Sequence, residues 1–252
     1  MVSYIPRAIL YVIITVILAL ALFCLLDIAS SLFINPNKIY MHNSSFYRFL
    51  LYATTFLTII VARIHIHKEG LNKLSEAGIN CSGNKQRFLL VSNHRSNFDP
   101  ILTWHVLRKY DLAFLSKEEN MHIFTFGKII RKCCFMAIDR ENPKKALETL
   151  IKSSELIKND EVSIAIYPEG TRNKDEGLLP FHNGIFKVAK MAEVPIVVMS
   201  ITGTERIHKN FPLRKTNVNF KILDVIDVDK VMNLKTSELG EIVREKILYG
   251  IQ

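Results

Sequence analysis

The sequence predicts one α/β domain with a central mostly parallel or mixed sheet flanked by helices, preceded by an N-terminal membrane-associated helical segment. Three observations predict it. Short apolar, β-branched runs such as residues 88–92 and 162–167 read as buried strands. Segments with helical spacing of apolar residues alternate with them, as in sheets whose parallel strands are joined by helical crossovers. Ahead of both lies a run, residues 8–26, that is apolar or small throughout except for Thr15.

At about 1.5 Å per residue, that first run approaches the length needed to cross a bilayer. It exceeds the roughly 7 to 15 residues of a signal-peptide core. Although Ala29-Ser30-Ser31 resembles a cleavage site, a retained anchor is expected. A second apolar run, 49–62, contains Thr54, Thr55 and Thr58, and its length fits a span, a re-entrant segment or an interfacial helix. Residues 1–70 are therefore assigned to the membrane-anchoring part and 71–252 to the α/β domain. Residues 70–85, polar with Gly78 and Gly83, read as a connection with at most a short helix.

Beyond it the elements follow in order. Residues 88–92 predict a strand, 100–109 a helix, and 112–115 and 133–138 two further strands. Asn142-Pro143 opens a helix to Lys158, with an asparagine cap and a proline in the first turn. Its residues Ala146, Leu147, Leu150, Ile151, Leu156 and Ile157 make one apolar stripe. Then come strand 162–167, helix 185–192, strands 196–201 and 218–225, and a closing helix over 237–248.

The formal charge is +9, and the positive residues lie outside the apolar runs. That suits anionic headgroups, and no nucleic-acid module is present. Arg7 precedes the first run, Lys38 and Arg48 lie between the runs, and Arg63, Lys68 and Lys73 follow the second. The expected arrangement is a hairpin with both ends in the cytoplasm and the domain on the cytoplasmic face. Of the four cysteines, Cys24 is in the apolar run, Cys81 is alone and Cys133-Cys134 are adjacent. No spacing suits zinc or a disulfide framework, so reduced thiols are expected.

Two polar clusters follow strand-like runs, where open α/β sheets bind ligands. The first is Asn93-His94-Arg95-Ser96-Asn97-Phe98-Asp99. On one helix, His94 and Asp99 would point about 140° apart, so a turn must bring them together. Arg95-Ser96-Asn97 is such a turn. Asp99 before Pro100 also has the form of an ordinary helix cap. A carboxylate on one ring nitrogen fixes the tautomer and frees the other nitrogen as a general base. No nucleophilic side chain is needed if the substrate brings its own hydroxyl. The second cluster is Tyr167-Pro168-Glu169-Gly170-Thr171-Arg172. Arginine there suits bidentate recognition of phosphate or carboxylate, and glycine lets backbone N–H groups approach an anion. Lys117 and Arg140, each after a strand-like run, are further basic candidates.

The segment from His94 to Asp99 resembles the histidine-four-residues-aspartate signature of the glycerolipid acyltransferases, which include bacterial 1-acylglycerol-3-phosphate acyltransferases. Lys117, Gly127 and Arg140, with the run Phe135 to Arg140, are similar to the family's second block. Tyr167 to Arg172, with Phe181 and Gly184, resembles the third. Val194-Pro195-Ile196 followed by Gly203-Thr204 resembles the fourth. The likeness covers residues 85–225. Asn120, Tyr167 and His182-Asn183 depart from the family's usual leucine, phenylalanine and lysines.

The resemblance implies an O-acyltransferase of phospholipid synthesis that takes an acyl group from acyl-CoA or acyl carrier protein. The acceptor would be the free hydroxyl of 1-acylglycerol 3-phosphate (lysophosphatidic acid), and the product phosphatidic acid. It casts His94 as base and Asp99 as its support. Lys117, Arg140, Glu169, Gly170, Thr171 and Arg172 would bind the acceptor, and Val194, Pro195 and Ile196 would line the apolar side near the acyl donor. No metal or redox cofactor is expected. Membrane lipids are the expected partners, without nucleic acid. Glycerol 3-phosphate or another lysolipid is the alternative acceptor. A membrane-bound thioester or lipid hydrolase and a non-catalytic lipid-binding protein are alternatives of other classes.

Overall fold

A computed structural model describes residues 4–80, 86–173, 175 and 177–251. Cys81 and Gly83 lie outside the described residues. The chain begins with α1 (Tyr4–Leu32) and α2 (Ser45–Val61), which leads directly into β1 (Ile64–Glu69) and α3 (Asn72–Glu76). Then follow β2 (Leu89–Ser92), α4 (Phe98–Val106), β3 (Leu112–Ser116), α5 (Glu118–Met121), α6 (Phe124–Lys132) and β4 (Met136–Ala137). The remainder is α7 (Pro143–Lys158), β5 (Ser163–Ile166), α8 (Lys187–Ala192), β6 (Ile196–Thr202), α9 (Ile207–Asn210), β7 (Thr216–Ile226), α10 (Val228–Asn233) and α11 (Thr236–Ile251).

Among the described residues, seven strands form one mixed sheet in the order β1-β7-β6-β2-β5-β3-β4. All neighbours pair in parallel except β6 and β7. Because successive residues of a strand face opposite sides, β2 feeds two cores. Leu89 and Val91 pack with α7, α8 and α11, whereas Phe88 and Leu90 pack with α2, α4 and α6. Fully burying such a side chain is worth about 1.5–3 kcal/mol, which is why these runs carry no polar alternation.

Helix α7 starts as its sequence predicts: Asn142 Oδ1 accepts the Lys145 N–H at 3.2 Å and Pro143 occupies the first turn. Three expectations change. The strand expected over 133–138 shrinks to β4, because Cys133 closes α6 and Cys134 takes a left-handed backbone at φ 63° that no strand accommodates. Both thiols are free, and burial pushes each pKa up to about 12. The helix expected over 185–192 opens as a 3-10 turn, Asn183–Phe186. The sheet begins at Ile64, within the segment assigned to the anchor, since β1 runs parallel to β7 with Ile64 beside Thr216.

Helix α1 includes Ile9–Leu32, long and apolar enough to cross a membrane. Helix α2 is different. Its residues Arg48, Leu50, Leu51 and Thr55 are buried, and Thr55 Oγ1 bonds the His105 ring of α4 at 3.0 Å. Its other face exposes Phe46, Phe49, Phe56, Ile60 and Val61. One side therefore belongs to the domain and the other is free for an apolar environment.

Candidate active site

The parallel strands β2, β5, β3 and β4 all end at the same edge of the sheet, so the loops that follow them meet there. Those loops carry His94, Tyr167 to Arg172, Lys117 and Arg140, in that spatial order. Neighbouring strands lie about 4.8 Å apart, which brings residues from distant parts of the chain within reach of one small molecule.

His94 is held from every side. Asn93, just before it, mimics a strand residue: its amide donates to Ile201 O and accepts from Ile201 N–H, both at 2.8 Å. The turn Arg95-Ser96-Asn97 then folds the chain back, and Asp99 enters the first turn of α4. Its fully buried carboxylate accepts three bonds through Oδ2: from His94 Nδ1 at 2.9 Å, Arg95 N–H at 2.6 Å and Ser96 N–H at 2.7 Å. The helix-cap and imidazole-orienting readings of Asp99 are thus one arrangement. A carboxylate is an acceptor only, so Nδ1 carries the proton and Nε2 has its lone pair free. Tyr167 stacks on the imidazole with ring centroids 4.4 Å apart and planes 11° apart, and its hydroxyl lies 3.4 Å from Thr103 Oγ1 of α4. Burial, aided by the Asp99 charge, raises the Tyr167 pKa well above its ordinary value, so the phenol stays neutral.

The imidazole stands between two cavities. One, of about 270 Å³, is a polar cleft where Lys117, Arg140, Thr171, Arg172 and His182 converge. Among the described residues, the side chains of Lys117, Arg140, Arg172 and His182 make no hydrogen bond or ion pair. Glu119 also lines the cleft and its charge acts on Arg140, but Lys117, Arg140 and Arg172 leave the balance positive, which suits an anionic ligand. The other cavity, of about 240 Å³, is mostly apolar and runs among α2, α4, α6 and β3, with Leu51, Ile101, Trp104, Phe114, Ile130 and Phe135 in its wall. His94, Asn97, Pro100, Phe114, Ser116 and Asn120 line both. Ile123, about half exposed, lies at the rim of the apolar one. A third, outer basin of about 890 Å³ adjoins the cleft beyond Arg140 and His182. Among the described residues no group of three or more His, Cys, Asp or Glu side chains is placed to hold a metal ion.

The family model for acyltransferases matches residues 63–202, from just before β1 to the end of β6. The chain belongs to the acyltransferase family. Among relatives of this acyltransferase-family chain, the 1-acyl-sn-glycerol-3-phosphate acyltransferase of Haemophilus influenzae is 32% identical over 145 residues, 56% of this chain and 59% of that protein. The enzyme of the same name from Limnanthes douglasii is 30% identical over 148 residues, 58% of this chain and 52% of that one. The Escherichia coli one is 29% identical over 177 residues, covering 64% and 72% respectively. The chain thus spans little more than half the length of the first two. The crystal structure of the 1-acyl-sn-glycerophosphate (LPA) acyltransferase PlsC from Thermotoga maritima shares the fold. Its TM-score is 0.63 at 24% identity, over 81% of this chain and 77% of that one.

Within this fold, most predicted site residues come together. Lys117, Arg140, Gly170, Thr171 and Arg172 line the cleft beside His94. Gly170 has φ 71°, and a Cβ there would lie 3.1 Å from His182 Nε2 and 3.5 Å from Arg140 Nη1, so glycine opens the space between those two donors. Glu169 does not line the cleft. It is buried, its two oxygens accept the His94 N–H at 2.8 Å and the Leu179 N–H at 2.9 Å, and desolvation raises its pKa. Val194, Pro195 and Ile196 are elsewhere too. Ile196 pairs with Leu89 at the start of β2, and five residues at about 3.3 Å each separate that end from His94. The apolar wall beside His94 is the α2–α4–α6 cavity. Sequence reasoning missed that cavity, the Asn93 bridge and the Tyr167 stack; only the unusual tyrosine had been visible, as a departure.

Proposed function

We propose that the protein transfers a fatty acyl group from an acyl thioester to the free hydroxyl of 1-acylglycerol 3-phosphate, giving phosphatidic acid. One observation carries the reading: His94, held by Asp99 through Nδ1, lines both a cleft rich in basic side chains and an apolar cavity. A reaction joining a phosphorylated alcohol to a fatty acyl chain needs those two environments on either side of one base.

In this mechanism the acceptor phosphate sits among Lys117, Arg140 and Arg172, and its glycerol hydroxyl reaches Nε2. His94 takes the proton as the oxygen attacks the thioester carbonyl. The tetrahedral intermediate then expels the thiolate, which receives that proton from the imidazolium. Asp99 keeps the proton on Nδ1 throughout and balances the transient imidazolium charge. Orientation supplies much of the rate, since both reactants are fixed at one point. The acyl chain lies in the apolar cavity, and either acyl-CoA or acyl carrier protein supplies the thioester. The exposed apolar face of α2, with Ile123 and Phe124, rests against the membrane on its cytoplasmic side, where positively charged flanks favour placement. A lipid acceptor then reaches the cleft without leaving the interface.

Two substitutions test the two environments. Arg172→Ala removes a cation from the cleft, and charge-assisted hydrogen bonds are worth about 1.5–3 kcal/mol. The KM for lysophosphatidic acid should rise about 10- to 100-fold while the KM for the thioester stays level. Steady-state kinetics with each substrate varied in turn checks this, and equal losses for both would rule out the phosphate role. Ile101→Trp fills part of the apolar cavity. In competition between short- and long-chain thioesters, the short chain should gain about fivefold or more, a modest effect for pocket shape. An unchanged ratio would move the acyl chain elsewhere.

A further inference from the structure

We infer that Glu169 acts as a positioning residue, fixing the backbone of His94 against the loop that carries Arg172, and is not a ligand of the acceptor. This rests on the reading of His94 as the base.

Beyond the end of the β2–β5 pairing, the peptide groups on both sides of His94 remain bonded to the segment after β5. The His94 N–H donates to Glu169 Oε1 at 2.8 Å, and the His94 carbonyl accepts the Asn173 N–H at 2.8 Å. The second Glu169 oxygen takes the Leu179 N–H at 2.9 Å, and the Asn173 amide is itself bonded to Gly177 O at 2.9 Å and to the Asp175 N–H at 3.0 Å. The described residues 169–173, 175 and 177–179 therefore belong to a strap in which the buried polar side chains of Glu169 and Asn173 face inward, at 3% and 4% exposure. Between them Thr171 and Arg172 face outward, exposed and on the cleft.

Two physical points exclude a direct role toward the acceptor. Each carboxylate oxygen already serves a backbone N–H, and releasing either would leave a buried donor unsatisfied. A carboxylate turned toward the cleft would also repel the phosphate that Lys117, Arg140 and Arg172 attract. Glu169 touches the outer basin but not the cleft beside His94. Its position instead ties the height of the imidazole above the sheet to the segment that carries Arg172, so acceptor-binding group and base keep one spacing. Displacement of a reacting group by about 1 Å lowers rate by about 10²-fold.

The test compares wild type, Glu169→Gln and Glu169→Ala for kcat, for acceptor KM and for amide hydrogen exchange by mass spectrometry. Glutamine keeps one oxygen for one N–H and presents an NH₂ to the other, so kcat should fall about 10-fold; for alanine it should fall about 100-fold. The acceptor KM should stay within about twofold in both, as for any group acting on orientation alone. Exchange should quicken in peptides containing His94 and Leu179, and not in those of β6, β7 or α11. If alanine unfolds the chain, glutamine alone decides. A tenfold rise in acceptor KM at unchanged kcat would make Glu169 a ligand and overturn the proposal. So would a loss of folded protein with kcat per folded molecule unchanged. The exchange measurement needs no activity: wild type inactive toward every acceptor would defeat the reading of His94 while leaving the strap to be judged on its own.

Discussion

His94→Ala is expected to lower kcat for acyl transfer by about 10²–10⁴-fold, the span that a positioned general base contributes. Acceptor KM should hardly move, since the phosphate is held by Lys117, Arg140 and Arg172. The fold should survive. The backbone bonds of His94 to Glu169 and Asn173 do not involve its side chain, and Asp99 keeps its bonds to the Arg95 and Ser96 N–H groups. Thermal unfolding followed beside the kinetics should therefore show a shift of only a few degrees. Full residual activity would remove His94 from the mechanism.

Asp99→Asn should have an effect of similar size for a different reason. The amide oxygen can stand where Oδ2 does and accept all three bonds, so the turn persists and the imidazole keeps its tautomer. What is lost is the negative charge that balances the imidazolium, so His94 takes the acceptor's proton less readily. A loss in kcat of about 10²–10³-fold is expected here. Asp99→Ala differs in kind. It strands donors that are now satisfied by a fully buried carboxylate, at about 1–3 kcal/mol for each one left without a partner. Alanine should thus reduce both stability and rate, asparagine mainly rate. Rate loss in asparagine that tracks lost folded protein would show that Asp99 acts only as a helix cap.

Much of the fold was legible because its central strands are buried on both faces. In strands β2, β5 and β6 only Ser92, Ser163, Ser200 and Thr202 are polar, so the apolar runs stand out. The cap and proline of α7 were legible because capping uses residues next to one another. Strand β1, Ile-His-Ile-His-Lys-Glu, lies at the sheet edge and alternates with polar residues. It directly follows the apolar α2 and merges with it in the sequence. The site divides in the same way. His94 and Asp99 are five residues apart, so a turn between strand and helix explains their meeting. Glu169 is 75 residues from the backbone N–H it holds, and no sequence pattern marks a backbone group as a partner. Val194-Pro195-Ile196 were placed by resemblance, whereas strand register sets them at the far end of β6. Each residue of the apolar cavity reads as ordinary core, and only packing leaves the space among them.

The most direct measurement is product formation by the purified, detergent-solubilised protein given lysophosphatidic acid and one acyl thioester, with phosphatidic acid read by mass spectrometry and free thiol released in parallel. Phosphatidic acid and thiol should appear in equal amounts, with little or no acylated product when a neutral lysolipid replaces the phosphorylated one. Thiol release without phosphatidic acid would make water the acceptor, and equal use of the neutral lysolipid would contradict a phosphate-binding cleft.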